Sequence, residues 1–105
     1  MFARKVSMHL RASVAEFTLT LEKEVIPILQ KQKGFQDEIT FVLPGGRDAF
    51  AISLWDSAEN AEAYNRRTYP EVAKILARVV EGTPQIGTYD VANSTFHKIA
   101  VAVAA

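Results

Sequence analysis

Cysteine is absent from this chain of 105 residues, which removes structural disulfides, a thiolate nucleophile and cysteine-held zinc or iron–sulfur clusters. Excess charge of either sign is also lacking. Twelve Lys and Arg residues balance twelve Asp and Glu, so no net field draws the protein to a nucleic-acid backbone or an anionic membrane. Long apolar runs are missing too: none approaches the ~20 residues that span a bilayer, and MFARKVSMHL lacks the continuous apolar segment of a secretory signal. These absences predict a soluble cytoplasmic protein with neither nucleic-acid nor membrane partners.

What is present is apolar material in short periodic segments. At 49% hydrophobic residues the chain suits one domain over residues 1–105, with a core at 2–93 and a β-rich tail at 94–105. Phe2, Val6, Met8 and Leu10 share one parity, the period of a strand. SVAE follows, where Ser13 can cap a helix carrying Val14, Phe17, Leu21, Val25 and Ile28 on one stripe. Pro27 lies late in that helix, predicting a kink or a change of turn. Gly34 ends it. FQDEITFVL and DAFAISLW, joined by PGGR, form an antiparallel hairpin. Ser57 caps the next helix, Pro70 opens a further helical segment predicted to run to Gly82, and Pro84 prevents its resumption. QIGTYDVAN reads as a fourth strand, and STFHKIAVAVAA can add a fifth.

The order strand, helix, strand, strand, helix, strand predicts a ferredoxin-like α+β fold, βαββαβ, with an antiparallel sheet. Both helices of such a fold cover one face of the sheet. Val6, Met8, Leu10, Ile39, Phe41, Leu43, Phe50, Ile52 and Leu54 are assigned here to the uncovered face, and Ala49, Ala51, Ser53, His9 and Trp55 to the helix side. So broad an apolar surface predicts a homodimer packed sheet to sheet, giving a dimeric α/β barrel. The alternative puts the bulky residues beneath a monomer's own helices. Ile99, Val101 and Val103 alternate with small or polar residues, so the tail can pair with the partner subunit as an edge strand.

The succession GF, an apolar strand, a glycine turn, FAISLWDSAENAEAY and a Tyr-Pro-led helix resembles the antibiotic biosynthesis monooxygenase-like (ABM) domains of the dimeric α/β-barrel superfamily, from Phe2 to about Asn93. The resemblance implies a dimer with a pocket between sheet and helices, and in some members oxidation of polyketide-like aromatics by oxygen without metal or flavin. Others degrade haem through an asparagine on the first strand, the tryptophan ending the third and a histidine on the second helix. Only the tryptophan, Trp55, carries over, so haem degradation is not expected.

The candidate catalytic residues are His9 and Trp55. His9 has a pKa suited to accepting a proton from a phenol or enol, and Trp55 can line a pocket and donate from its ring nitrogen. The plain alternatives are a solvated strand-end histidine and a packing plug at the strand-to-helix corner. Tyr64, Asn65, Arg66, Arg67 and Tyr69 gather before Pro70, where Tyr64, Arg67 and Tyr69, together with Tyr89 of the fourth strand, are candidate substrate-binding residues. A solvated helix end is their alternative. Asp37 and Glu38 are adjacent strand residues that point to opposite faces. No metal and no cofactor are predicted, since neither histidine has a carboxylate at ligand spacing, and the Gly45–Gly46 turn lacks a phosphate-loop pattern.

Two functions follow: a cofactor-independent monooxygenase-like enzyme acting on a small aromatic or polyketide-type compound, or a non-catalytic ligand-binding or interaction domain of the same fold. A cavity of at least ~300 Å³ beside His9 and Trp55 favours the first, and an interior filled by Phe17, Leu21, Val72 and Leu76 the second.

Overall fold

A computed structural model describes residues 1–99. The elements run β1 (Phe2–Leu10), α1 (Val14–Thr20), a π-helical turn (Leu21–Val25), α2 (Ile26–Gln30), β2 (Phe35–Val42), β3 (Asp48–Trp55), α3 (Ala58–Arg67), α4 (Tyr69–Leu76) and β4 (Val80–Asp90). The strands form one antiparallel sheet in the order β2-β3-β1-β4, so the ferredoxin-like α+β fold is as predicted.

Local chemistry accounts for most boundaries. Ser13 Oγ accepts from the Glu16 amide at 3.1 Å, and Ser57 Oγ from the Asn60 amide at 3.2 Å, so each hydroxyl satisfies a free donor at a helix start. Pro27 disturbs its helix as predicted. Its ring crowds the carbonyl one turn back, and the chain widens into the π turn just before it, with the Ile26 amide donating to the Leu21 carbonyl. Gly34 has φ +83°, and a side chain there would place its Cβ 2.7 Å from the Asn60 Cβ. That close approach lets the Asp56 amide donate to the Gly34 carbonyl at 2.9 Å, pinning the start of β2 to the end of β3.

The helical segment after Pro70 is shorter than predicted. It stops at Leu76, and Val80 already pairs with Leu10 at the start of β4. Gly82, expected to end that helix, instead takes φ +73° in a bulge of β4, where the register shifts between Ser7 and His9. Pro84 lies in the same bulge, where a missing amide donor costs no ladder bond. In the tail, residues 95–97 form a bend and no strand runs through 94–99, with Ser94 Oγ accepting from the Phe96 and His97 amides, and His97 Nε2 contacts Asp37 of β2. Val101 and Val103, and with them the predicted partner strand, lie outside the described residues.

The assignment of faces needs correction. Val6 pairs with Ala51 and Met8 with Ala49, so the large residues of β1 share the helix-covered face with the small residues of β3. Val6, Met8 and Leu10 are buried there, beside Phe17, Leu21, Trp55, Val72 and Leu76. Large against small lets the helices approach the sheet closely. The bulky open face is therefore built mainly from β2, β3 and the turn after β2: Ile39, Phe41, Leu43, Phe50, Ile52 and Leu54, with the Phe41 and Phe50 rings stacked at 4.7 Å. Among the described residues no helix is long and apolar enough to cross a membrane.

Candidate functional site

The alternation of β1 places Arg4 on the helix-covered face between Phe2 and Val6, and the register extends a polar row from it. Arg4 pairs with Ser53 on β3 and Ser53 with Glu38 on β2, while on the outer side Arg4 pairs with Thr88 on β4. Adjacent strands lie about 4.8 Å apart, so two strand steps hold the Arg4 and Glu38 backbones about 10 Å apart. Arg4, Ser53 and Glu38 line one cavity with Tyr64 and Tyr69, enclosed on the helix side by the π turn and α2. The cavity is small, about 40 Å³, room for a few waters or a short polar head group. Leu21, Ile26 and Glu38 also line a surface cleft of about 350 Å³ between α1 and β2, so the two spaces adjoin at these residues.

Arg4 is the anomaly of the core. It is 3% exposed, yet no carboxylate pairs with it among the described residues. One guanidinium nitrogen donates to Asn65 Oδ1 at 3.0 Å, while Nε is buried without any partner. The guanidinium carbon lies 4.1 Å from the Tyr69 ring centre and 5.3 Å from that of Tyr64, and these aromatic faces offset part of the burial cost. The residual demand is for an acceptor oxygen. Arg4 also lines a cleft of about 320 Å³ between α3 and β4, with Glu62, Thr88 and its hydrogen-bond partner Asn65.

Two neighbours have displaced acidities. Burial pushes the Glu38 carboxyl up from its ordinary value, against an opposing hydrogen bond of 2.6 Å from Thr40 Oγ1. Burial likewise pushes the Tyr64 phenol up to about 12, with Arg4 pulling it down and Tyr69 adding to the rise, so Tyr64 stays a neutral phenol near pH 7. A fixed cation, a carboxyl made more basic and a neutral phenol can together hold an oxyanion and take up a proton.

Trp55 lies behind this cavity. It is fully buried, stacked on Tyr64 at 5.0 Å and edge-on to Phe35 at 5.6 Å. Its Nε1 donates to Ser53 Oγ at 2.9 Å, so the indole donor is committed to a residue of the polar row. Tyr64 and Tyr69 line the cavity. The remaining candidates lie elsewhere. His9 pairs with Asp48 on the open face, half exposed, with Nδ1 2.9 Å from Asp48 Oδ1 and Nε2 3.9 Å from Glu81 Oε2. Its parity is opposite to that of Trp55, because Trp55 pairs with Phe2 and therefore faces with the even residues of β1. Tyr89 pairs with Ala3 and lies exposed on the open face, and Arg67 edges an outer depression beside Gln32 and Asn60. No three His, Asp or Glu side chains among the described residues are grouped to hold a metal ion.

Arg4, Ser53 and Glu38 are not among the residues expected from sequence. The signal for Arg4 was there: a charge interrupting the apolar parity Phe2, Val6, Met8, Leu10 of a central strand.

No family model matches the chain, and no curated protein sequence matches it. Solved structures do. SnoaB, a cofactor-independent oxygenase from Streptomyces nogalater, superposes with TM-score 0.75 at 12% identity, over 90% of this chain and 95% of that one. A monooxygenase from the gene ActVA-Orf6 of Streptomyces coelicolor, in complex with the ligand nanaomycin D, gives 0.74 at 12% identity over 92% of each chain. NE2512, a protein of unknown function from Nitrosomonas europaea, gives 0.67 at 13% identity over 96% of this chain and 95% of its own. The chain thus has the fold of the ABM-like domains. At these identities the likeness is one of fold.

Proposed function

We propose that this chain is a cofactor-independent monooxygenase-like protein that receives a small aromatic or polyketide-type compound between its sheet and its helices. The observation that carries the reading is the buried, unpaired Arg4 facing a cavity with Glu38 and Tyr64. Unpaired buried charge is costly in a purely structural core and is what an oxygen-bearing ligand would satisfy. Two proteins of the same fold, SnoaB and the ActVA-Orf6 product, are an oxygenase and a monooxygenase. In the proposed reaction the bound compound loses a proton, and the resulting carbanion reacts directly with oxygen. The chain's part is to ionise, orient and keep the compound dry. Among the residues named from sequence, Trp55 supports this indirectly, through Ser53 and Tyr64, whereas the position of His9 on the open face lends it no role in this cavity.

A second reading has its own support. The cavity of about 40 Å³ is well under the ~300 Å³ of ordinary ligand pockets, and Phe17, Leu21, Val72 and Leu76 fill much of the helix-side interior. That favours a non-catalytic binding domain. Oxygen uptake with anthrone- and quinol-type compounds separates the two: uptake by the native protein, lost in Arg4→Met, supports the enzyme, and none across a broad panel leaves binding alone.

The same proposal includes a homodimer packed through the open sheet face, supported by the exposed Ile39, Phe41 and Leu43 beside Phe50 and Ile52. It also places the cysteine-free chain in the cytoplasm, a setting that keeps thiols reduced and so makes no call on disulfides.

A further inference from the structure

The chain leaves β4 at one edge of the sheet and reaches β2 at the other. The Val91 amide donates to the Met1 carbonyl at 3.0 Å beside the start of β1, and farther along the tail His97 Nε2 meets Asp37 Oδ2. Three strand spacings, about 14 Å, separate β4 from β2, a span that residues 91–97 cover without full extension. Asp37 pairs with Leu54 and Leu54 with Ala3, so Asp37 projects from the open face and the tail comes to it on that side. Ser94 Oγ, accepting from the Phe96 and His97 amides, bends the chain there. The segment is thus a strap across one end of the open face. Exposure follows it: Leu54 at this end is half-buried, whereas Ile39, Phe41 and Leu43 are exposed.

We propose that residues 91–97 are a strap that shields the Leu54 end of the open face from a second copy of this chain, and that the contact of His97 with Asp37 is a clasp closed by a proton. The shielding rests on the homodimer reading above; the clasp does not. Sheets packed face to face sit about 10 Å apart with their side chains interleaved, so a backbone lying on one of them keeps the other from closing over that end. Histidine changes charge between about pH 5 and 8. On the acid side of that range an imidazolium meets a carboxylate, and on the alkaline side a neutral ring keeps at most a hydrogen bond of roughly half the strength. Water screens the pair only in part, since the His97 side chain is 25% and that of Asp37 43% exposed. The other charged and titratable groups on this side are the Met1 amino group beside the start of the tail, Lys5 of β1, Tyr89 of β4 and Lys98 next in the tail, while β3 brings only Leu54. Lys5 is turned to the Phe50 ring, 4.7 Å from its ammonium, and His9, Asp48 and Glu81 lie at the far end of the face. Lys5, Lys98 and Met1 disfavour a charge on His97, so the closed clasp depends on Asp37. Rising pH therefore opens the strap and strengthens association.

Two measurements on the full chain test this, each at about pH 5.5 and pH 7.5 and at one ionic strength. The first is NMR relaxation of the Phe96 and His97 amides in the Phe41→Asp variant, where association does not disturb the tail. Their order parameters should be near 0.8 at the lower pH and fall below about 0.6 at the higher, and adding Asp37→Asn should make them low at both. Order that ignores pH, or that survives Asp37→Asn, overturns the clasp. The second is sedimentation equilibrium of the chain without Phe41→Asp. Its dimer Kd should fall about fivefold from the lower pH to the higher, and His97→Gln should show the tighter value at both. Association that is unchanged or weaker at the higher pH, with the strap released, overturns the shielding. A protein that stays monomeric at both pH values while its tail still responds removes the homodimer reading and leaves the clasp standing.

Discussion

Arg4 and Glu38 both pair with Ser53 from opposite sides, which sets two opposite charges in one cavity without letting them form an ion pair. The Arg4 guanidinium is committed instead to Asn65 of α3 and to the Tyr69 ring. A buried charge held apart from its complement destabilises the fold. Replacing Arg4 by methionine, similar in length but uncharged, should therefore leave the urea midpoint unchanged or raise stability by up to about 2 kcal/mol, even though Arg4 donates to Asn65. A loss of more than about 2 kcal/mol would make Arg4 a structural residue rather than one held ready for a ligand.

Glu38 gives stability a pH dependence whose sign is fixed by burial. Its folded pKa lies above the ordinary 4.5, so the native state holds this proton more tightly than the unfolded chain does. The stabilisation is complete below about pH 4.5 and is lost as pH rises through the raised folded value. Glu38→Gln abolishes the charged form and should gain stability over the native protein at pH 7 to 8, with the gain shrinking toward pH 4. Chemical denaturation at several pH values reads this. A native–variant difference that grows toward acid would mean that hydrogen bonding by Thr40, and not desolvation, dominates Glu38.

Trp55 is fully buried between Tyr64 and Phe35, so Trp55→Ala should cost about 3–5 kcal/mol and unfold a marginal domain at modest temperature. Trp55→Phe keeps most of the packing but removes the donor to Ser53 Oγ. It should cost about 1–2 kcal/mol, with the near-ultraviolet circular dichroism of the aromatic stack altered. Retention of full stability in the alanine variant would show the corner to be loosely packed.

The fold was legible because its signals are local. Ser13 and Ser57 cap where their hydroxyls find a free amide, Gly34 turns where only glycine fits, and the alternations in β1, β2 and β3 each give the right strand. What the alternation alone does not reveal is which parity of one strand meets which parity of the next. That depends on register, here Val6 against Ala51, and the register puts large opposite small rather than large beside large. The same mistake of parity hid the site: with Val6 and Met8 assigned outward, Arg4 went outward with them and His9 came in. Glu38 was passed over for a different reason: weighed with Asp37, it was set aside because adjacent strand residues face opposite sides, and its burial emerges only once the helix above it is placed. The β4 bulge shows a further limit, since Gly82 and Pro84 punctuate a bulge and a helix end with the same residues.

The open face supplies the final prediction. Ile39 is 39% and Phe41 42% exposed, on a surface continuous with Phe50 and Ile52, and the Phe41 ring stacks on Phe50 within one hairpin. In a two-fold dimer joined sheet to sheet each of these side chains is buried twice, once from each subunit. At about 1.5–3 kcal/mol per side chain, Phe41→Asp should weaken association by roughly 10²-fold or more, and its buried charge adds to the loss. Sedimentation equilibrium should find the native protein dimeric at about 10 µM and the variant monomeric. The cavity lies on the other face of the sheet, behind Arg4 and Glu38, so the monomeric variant should still bind a cavity ligand unless the partner subunit holds β2 in place. A native protein that sediments as a monomer at that concentration would leave Ile39, Phe41 and Leu43 facing water, with Lys5, whose ammonium lies 4.7 Å from the Phe50 ring, as partial cover from the same sheet face.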